Sequence, residues 1–488
     1  MKLTEEQKDI VEYVKNGGND LIVNAFAGTG KTTTTKTAIE VIAGKTKYKP
    51  VYLVYNKKNR EEAQRKLQRL ASVHTFHSLA YSYLKKEEKQ GVRRLSFVEL
   101  RDVIGTITSI EKKKILNYLT YAIKNYLSGN IGEAKKFWKF AKVEDIELQD
   151  LALKVVEEQV KRGIIDFDAM LLKLIREIEE GKRRINKKTI FVDEAQDINP
   201  IQERLISLIA ERVIAVGDTH QSIYKWRGAN GYFLKRKGVE RKYLTISWRI
   251  PPRSLQEEIA NKLLELKGER KKLKGMNLYE DEDRRKTKAM ISRKNITLIE
   301  TALELLQQGE KFRFVRPLEE LLSLPVDIYR LFYYGEKPSI NTWLLLFKDI
   351  KELERFATEN EDAELQNALY FCSKYNPVTI LKMLTENQSW GGVELTTAHS
   401  SKGLEWSEVE LLDDFPDLPA EAKKLAKEEG ISIKQAWERI LRDREEEINL
   451  LYVAVTRARE TLVLPPSLWI LNFDKNFEEE ENERTSSL

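Results

Sequence analysis

The sequence predicts an α/β protein, and three stretches predict it. The apolar run Leu21-Ile22-Val23 leads into Asn24 to Thr35, NAFAGTGKTTTT, and then into a segment, Lys31 through Val41, that can be helical. Lys188 to Val192 reads as a strand ending in Asp193-Glu194-Ala195-Gln196-Asp197. Arg212 to Val216 reads as another, running into GDTHQSIYKWRGA, Gly217 to Ala229. Short apolar strands that alternate with helical segments and end in polar turns are the pattern of parallel-sheet domains.

A strand, a glycine turn with Gly-Lys-Thr, and a helix form the context of a phosphate-binding loop. Gly28 and Gly30 can take backbone angles that other residues resist. Successive N–H groups from Ala27 through Thr33, Thr29 among them, can then cradle phosphate oxygens at a helix N-terminus. Lys31 adds positive charge for the terminal phosphates, and the Thr32 hydroxyl is a ligand for Mg²⁺. In a nucleotide enzyme the carboxylates after Val192 have matching uses: Asp193 for Mg²⁺ and Glu194 for the attacking water. An isolated Asp-Glu pair at a strand end carries no such meaning; the upstream loop supplies it.

Composition narrows the class. The chain has 488 residues, which favours two to four domains. Net charge is +6 from 83 basic and 77 acidic residues, so any nucleic-acid path must be a local groove. Cys372 is the sole cysteine, which excludes an intrachain disulfide and a cysteine-cluster metal site, and leans toward a reducing compartment. No apolar run approaches the roughly 20 residues of a membrane span, and there is no signal-peptide pattern. A soluble protein that binds no membrane is expected, intracellular, and cytoplasmic or nucleoid-associated.

Along the chain, Leu3 to Val11 looks like a helix start, with Thr4 as N-cap and Gln7 at the capping-box position. The Gln7 amide alternatively offers one donor and one acceptor to an adenine edge. Val51 to Tyr55 reads as a strand and Asn56 to Leu70 as a basic amphipathic helix. VHTFHSLAY, Val73 to Tyr81, is either a buried strand end or a nucleic-acid contact through hydroxyl, aromatic and imidazole groups. Lys85 to about Arg162 is rich in Lys, Glu and Leu and reads as a helical insertion. In Gly217 to Ala229, Gln221 can sense a γ-phosphate. Tyr224 and Trp226 can stack on bases, and Arg227 can bridge the two functions.

With these motifs in this order, the chain resembles superfamily 1 helicases of the UvrD type. LTISWR, Leu244 to Arg249, looks like the family's fourth motif; the resemblance implies Trp248 stacked on adenine and Arg249 on the γ-phosphate. MISRKN, Met290 to Asn295, looks like the motif that opens a second motor domain. LTTAHSSKGLEW, Leu395 to Trp406, is similar to the fifth motif, implying His399 toward DNA and Glu405 toward the nucleotide. LLYVAVTRARETL, Leu450 to Leu462, is similar to the sixth, with Arg457 as arginine finger. Arg459, read as two residues further along a helix, is expected at the surface or facing DNA. Glu361 to Leu365, Leu353 to Phe356 and Leu411 to Phe415 resemble the helicase portion of F-box DNA helicases. The chain begins at the Gln7 motif, so no F-box and no ubiquitin-ligase role are expected, nor a fused nuclease domain.

The resemblance implies two RecA-like parallel-sheet motor domains with helical insertions in each. The first motor is expected at residues 1–84 and 164–243, with an insertion at 85–163. The second is expected at 244–336 and 392–470, with a reduced insertion at 337–391, and 471–488 as an acidic disordered tail. The implied activity is ATP-dependent 3′→5′ movement on single-stranded or 3′-tailed duplex DNA, with Mg²⁺. The DNA contacts are Tyr55, Asn56, Thr75, His77, Tyr224, Trp226, Arg227 and His399, and the two motors close on one nucleotide. The alternative is a single-strand-stimulated translocase or nucleotide-dependent binding switch that never unwinds. A GTPase is disfavoured, because Asn56-Lys57-Lys58-Asn59 lacks the Asp of a guanine-reading segment.

Overall fold

The computed structural model describes residues 3–44, 48–54, 57–67, 69–143, 147–225, 229, 231–276 and 286–470. Tyr55, Asn56, Trp226, Arg227 and the expected acidic tail lie outside them. The chain forms two compact units, Met1–Phe26 with Gly30–Leu244, and Ala27–Thr29 with Thr245–Leu488.

In the first unit the strands are β1 (Leu21–Ala25), β2 (Val51–Leu53), β3 (Ser72–His74), β4 (Val92–Arg93), β5 (Ile165–Asp166), β6 (Ile190–Val192), β7 (Val213–Gly217) and β8 (Glu240–Leu244). Six of them make one sheet in the order β3-β2-β6-β7-β1-β8, parallel throughout. β1, β2, β6 and β7 are buried at every position, as a parallel sheet covered on both faces requires. Ile10, Val14, Ala38, Ile39 and Ile42, from the helices Glu5–Lys15 and Lys31–Ala43, share one apolar cluster with Leu21, Val23 and Val216. Helices run from Lys86–Gly91 to Leu148–Lys161 between β3 and β6, and the parallel pair β4–β5 brackets four of them.

In the second unit the strands are β9 (Ile246–Ser247), β10 (Lys274–Gly275), β11 (Lys288–Ser292), β12 (Phe312–Phe314), β13 (Val393–Thr397), β14 (Trp406–Leu411) and β15 (Ala458–Val463). Five form a parallel sheet, β12-β13-β11-β14-β15. The helical excursion between β12 and β13 starts at Leu318, earlier than the expected 337. Gly335 at the expected boundary is the left-handed cap (φ 70°) of the helix Ser323–Tyr334, a joint inside the excursion. Leu318, Leu322 and Val326 pack in one cluster with Phe371, Ile380 and Leu384. A second excursion was not foreseen. The helices Leu418–Glu429 and Ile433–Asp443 form a hairpin between β14 and β15 with a small core of Ala422, Ala426, Ala436 and Ile440.

Candidate nucleotide site and nucleic-acid residues

In the first unit, β1 delivers the glycine loop to the start of the helix Lys31–Ala43. Gly28 and Gly30 have φ of 72° and 80°, the left-handed region that glycine enters without strain. Gly30 is the N-cap, no side chain caps the helix, and its first turn carries no acidic residue. An uncapped helix start with N–H groups and positive dipole suits a phosphate anion. Lys31 Nζ lies 4.0 Å from Glu194, and Thr32 is exposed.

Asp193 and Glu194 follow β6. Asp193 Oδ2 accepts a 2.7 Å hydrogen bond from Tyr52 Oη, and Oδ1 accepts from the Glu194 N–H at 3.1 Å. Burial, and then the neighbouring Glu194 charge, push the Asp193 carboxyl up to about 6. Glu194 itself holds a left-handed backbone, φ 47°, a strained conformation for a residue with a Cβ. Two adjacent carboxylates, with the Lys31 ammonium 4.0 Å from Glu194, are a donor set that fits a divalent cation. One or two protein oxygens, here Thr32 and Asp193, completed by substrate phosphates, is the usual Mg²⁺ arrangement. Among the described residues no cluster of three or more His, Cys, Asp or Glu could hold a metal alone.

Sequence reasoning missed two residues here. Tyr52 reads as strand filling in VYLVY, and only the pairing of β2 with β6 places it beside Asp193. Gln196, fully buried, bridges two motifs: its Nε2 donates to Glu194 at 2.6 Å, and its Oε1 accepts from the Asp218 N–H at 3.0 Å. The signal was its position inside Asp193–Asp197. Gln221 is buried, and its amide nitrogen donates to Asp218 Oδ2 at 2.7 Å. Gln7 forms the capping box, its Oε1 accepting from the Thr4 N–H at 3.0 Å. Thr75 caps the helix Phe76–Tyr83. The His77 ring stacks on Phe167, centroids 5.0 Å apart and 11° from parallel. Tyr224 is half-buried.

In the second unit, which includes Ala27–Thr29, the Gly28 carbonyl accepts from the Trp248 N–H at 2.8 Å and the Ala27 carbonyl from Ser247 Oγ at 2.8 Å. A Cβ on Gly28 would stand 2.6 Å from Ser247 Oγ and 2.7 Å from Arg249 Cβ, so the position tolerates only glycine. Thr29 is buried. Trp248 Nε1 is buried without a hydrogen-bond partner among the described residues. Arg249 Nε donates to Glu405 at 2.7 Å and its Nη1 to the Thr456 carbonyl at 3.2 Å. Burial raises the Glu405 carboxyl, but Arg249, with Arg459 and Arg457, outweighs it and holds the group below its usual range. His399 is pushed down to about 4, by burial first and Arg293 second.

The two arginines of the sixth motif do not share a helix, which corrects their expected spacing. The helix Glu445–Val455 ends with Thr456 as its cap, and Arg459 lies in β15, so helical spacing does not govern the pair. Arg459 is not a surface residue: its side chain is 14% exposed and Nη2 donates to Ser407 Oγ at 3.2 Å. Arg457 is 1% exposed and donates to the carbonyls of Val453 and Leu404 and to Thr456 Oγ1. In this arrangement its guanidinium closes a helix end and is not presented as a finger.

Residues 3–239 match the UvrD/REP helicase N-terminal domain family. The chain is similar to UvrD-like superfamily 1 helicases. It is 27% identical to F-box DNA helicase protein 1 of Schizosaccharomyces pombe, over 95% of this chain and 57% of that one. It is 26% identical to F-box DNA helicase 1 of Gallus gallus, over 96% and 49%. ATP-dependent DNA helicase PcrA of Bacillus subtilis is 28% identical over 45% of this chain and 33% of its own. The chain thus spans about half the length of the F-box relatives it matches. The UvrD-like resemblance read from the motif order, and a mixed α/β fold with two parallel sheets, both hold. Among the described residues no helix is long and apolar enough to cross a membrane.

Proposed function

We propose that this chain is an ATP-dependent DNA helicase or translocase that moves 3′→5′ on single-stranded DNA. The observation that carries the reading is the uncapped glycine-loop helix with Lys31 4.0 Å from Glu194, joined through Gln196 to Asp218 and Gln221. Relatives that carry the name DNA helicase support the substrate class.

On this reading the loop N–H groups and Lys31 hold the triphosphate, while Gln7 and Trp248 take the adenine. Thr32 and Asp193 hold Mg²⁺, which when bound neutralises charge on the transferring phosphoryl group. Glu194 orients the attacking water and receives its proton. Gln196 fixes Glu194 against Asp218, so Gln221 shares one hydrogen-bonded network with the carboxylates. Arg249, Glu405 and Arg457 act on the nucleotide, and Arg457 must first give up its hydrogen bonds to Val453, Leu404 and Thr456. The strand contacts are Thr75, His77, Tyr224 and His399, with Tyr55, Asn56, Trp226 and Arg227 outside the described residues.

ATP hydrolysis measured with and without single-stranded DNA tests the reading, with Lys31→Ala as control. DNA stimulation in the parent and loss of hydrolysis in the variant are expected; hydrolysis indifferent to DNA refutes it. The excursion from Leu318 to Asn387 is short for an accessory domain, which favours a second reading, a translocase that does not separate strands. Unwinding of a 3′-tailed duplex decides between the two.

A further inference from the structure

A cavity of about 300 Å³ in the first unit lies between the helical insertion and the residues after β6. Its wall includes Phe76, His77, Asn130, Asp197, Asn199 and Gln202. That volume is at the lower limit of small-molecule clefts, ~300 Å³, so it admits one ring system and not a run of nucleotides. Gly129 keeps it open: its φ is 82°, and a Cβ there would stand 2.2 Å from Asn199 Nδ2.

The lining has a distinct chemistry. Asn199 Oδ1 accepts the Gln202 N–H at 2.9 Å and Gln202 Oε1 accepts the Asn199 N–H at 3.2 Å, which leaves their NH₂ groups as donors. The Asn130 side chain makes no cap bond to the helix that follows it. The Asp197 carboxylate repels a phosphate but accepts from an amino or imino N–H. Phe76 and His77 contribute ring surface, and Phe167 backs the His77 ring. The exposed cations Arg94 and Lys124 stand nearby: Arg94 acts on the charge of His77, and both act on that of Asp168, whose Oδ1 is 3.7 Å from His77 Nε2. Cations outside, with amides, a carboxylate and rings within, suit a base whose phosphates stay outside.

We propose that this cavity is a nucleobase subsite, in which one base turned out of a bound single strand sits beside His77 with its edge toward Asp197, Asn199 and Gln202. The inference rests on the reading of this chain as a single-strand DNA motor and adds to it a built pocket at the junction of motor and insertion. Gln196 Nε2 donates to Glu194 at 2.6 Å and to Asp197 Oδ2 at 3.5 Å. A base that engages Asp197 is therefore linked through Gln196, by three hydrogen bonds in all, to the residue assigned to the attacking water, a path from strand occupancy to hydrolysis. Every natural base offers an N–H at its edge, so the subsite tolerates sequence.

An abasic scan tests it. The full chain is titrated by fluorescence anisotropy with oligothymidines of about 16 nucleotides, each lacking one base at a successive position. One position is expected at which base loss weakens binding about 5-fold or more. Ser128→Trp, at an exposed lining residue, fills the cavity and is expected to erase that penalty. Asn130→Ala, which leaves the helix without loss of a cap bond, is expected to reduce it. Circular dichroism checks that both variants fold. A flat scan in a chain that binds the intact strand, or a penalty unchanged in both variants, overturns the subsite and leaves the motor reading standing. Absence of any single-strand binding by the parent chain overturns both.

Discussion

The Tyr52 hydroxyl donates a 2.7 Å hydrogen bond to Asp193 Oδ2. Burial first, and then the Asp193 charge, push the phenol well above its usual value, so it remains a donor across the working pH range. Tyr52 is thus a positioning residue for the carboxylate assigned to Mg²⁺. Tyr52→Phe keeps the ring and its packing and removes only this bond, worth about 1.5–3 kcal/mol when the acceptor is charged. The expected outcome is a rise of about 10-fold in the Mg²⁺ concentration needed for half-maximal hydrolysis, with a melting temperature lowered by a few degrees. Mg²⁺ titrations of the steady-state rate check it.

Gln196 joins Glu194 to Asp218 with no exposure to water. Gln196→Met keeps the length and abolishes both of these bonds, and with them the longer one to Asp197. The maximal hydrolysis rate is expected to fall about 10-fold, the effect of one lost charge-assisted hydrogen bond of ~1.4 kcal/mol. Affinity for a non-hydrolysable ATP analogue should hold. A rate loss matched by an equal loss of analogue affinity would place Gln196 in nucleotide binding instead.

His399 is held at about 4 by burial and by Arg293. It is therefore neutral at physiological pH and can offer a strand hydrogen bonding but not charge. Its C2 proton resonance should not move between about pH 5.5 and 8, where an ordinary histidine titrates. The sign for stability follows from linkage. The unfolded chain binds a proton that the folded chain refuses, so His399 costs stability as pH falls from about 6.5 toward 4. His399→Asn should flatten that part of the stability-pH curve in urea melts.

Much of the candidate site's local geometry is legible in the sequence because its signal is local. A glycine turn after an apolar strand, and carboxylates at a strand end, are contiguous in sequence, and the positive φ at Gly28 and Gly30 is what that turn demands. Tyr52 was illegible because its role depends on which strand lies beside β2, a non-local fact. The arginines were misread for a different reason. Their spacing was judged on a helix that in fact stops at Val455. The hairpin Leu418–Asp443 carries a usable cue, Gly430 followed by the Ser432–Gln435 capping box, but it lies outside every motif.

Asp327 is buried and accepts from the N–H groups of Ser339, Ile340 and Asn341 and from the Ser339 and Asn341 side chains. Burial raises its carboxyl, but these N–H donors prevail and hold it below its usual value. Its stabilising effect is therefore complete above about pH 4 and is lost as pH falls through the depressed folded value. Asp327→Ala leaves several buried donors unmatched and should cost about 3 kcal/mol, read as a lower urea midpoint and as faster amide exchange at Ser339 to Asn341.

Cys372 is buried, its thiol donates to the Pro325 carbonyl at 3.2 Å, and burial pushes it up to about 12. As the thiolate is the reactive form, the native chain should not react with Ellman's reagent at neutral pH. One equivalent should react in denaturant, with a rate in partial denaturant that reports opening of the helices Ser323–Tyr334 and Ala363–Lys374.

The strand order of the first sheet also sets a timetable for biosynthesis. β1 pairs on one side with Ile214 to Gly217 and on the other with Glu240 to Leu244, so it leaves the ribosome long before either neighbour exists. At 5–20 residues per second, that delay is ~10–40 s. A nascent chain released before Leu244 lacks one of the two strands that flank β1, and until both have emerged this fully buried apolar strand is without its sheet partners.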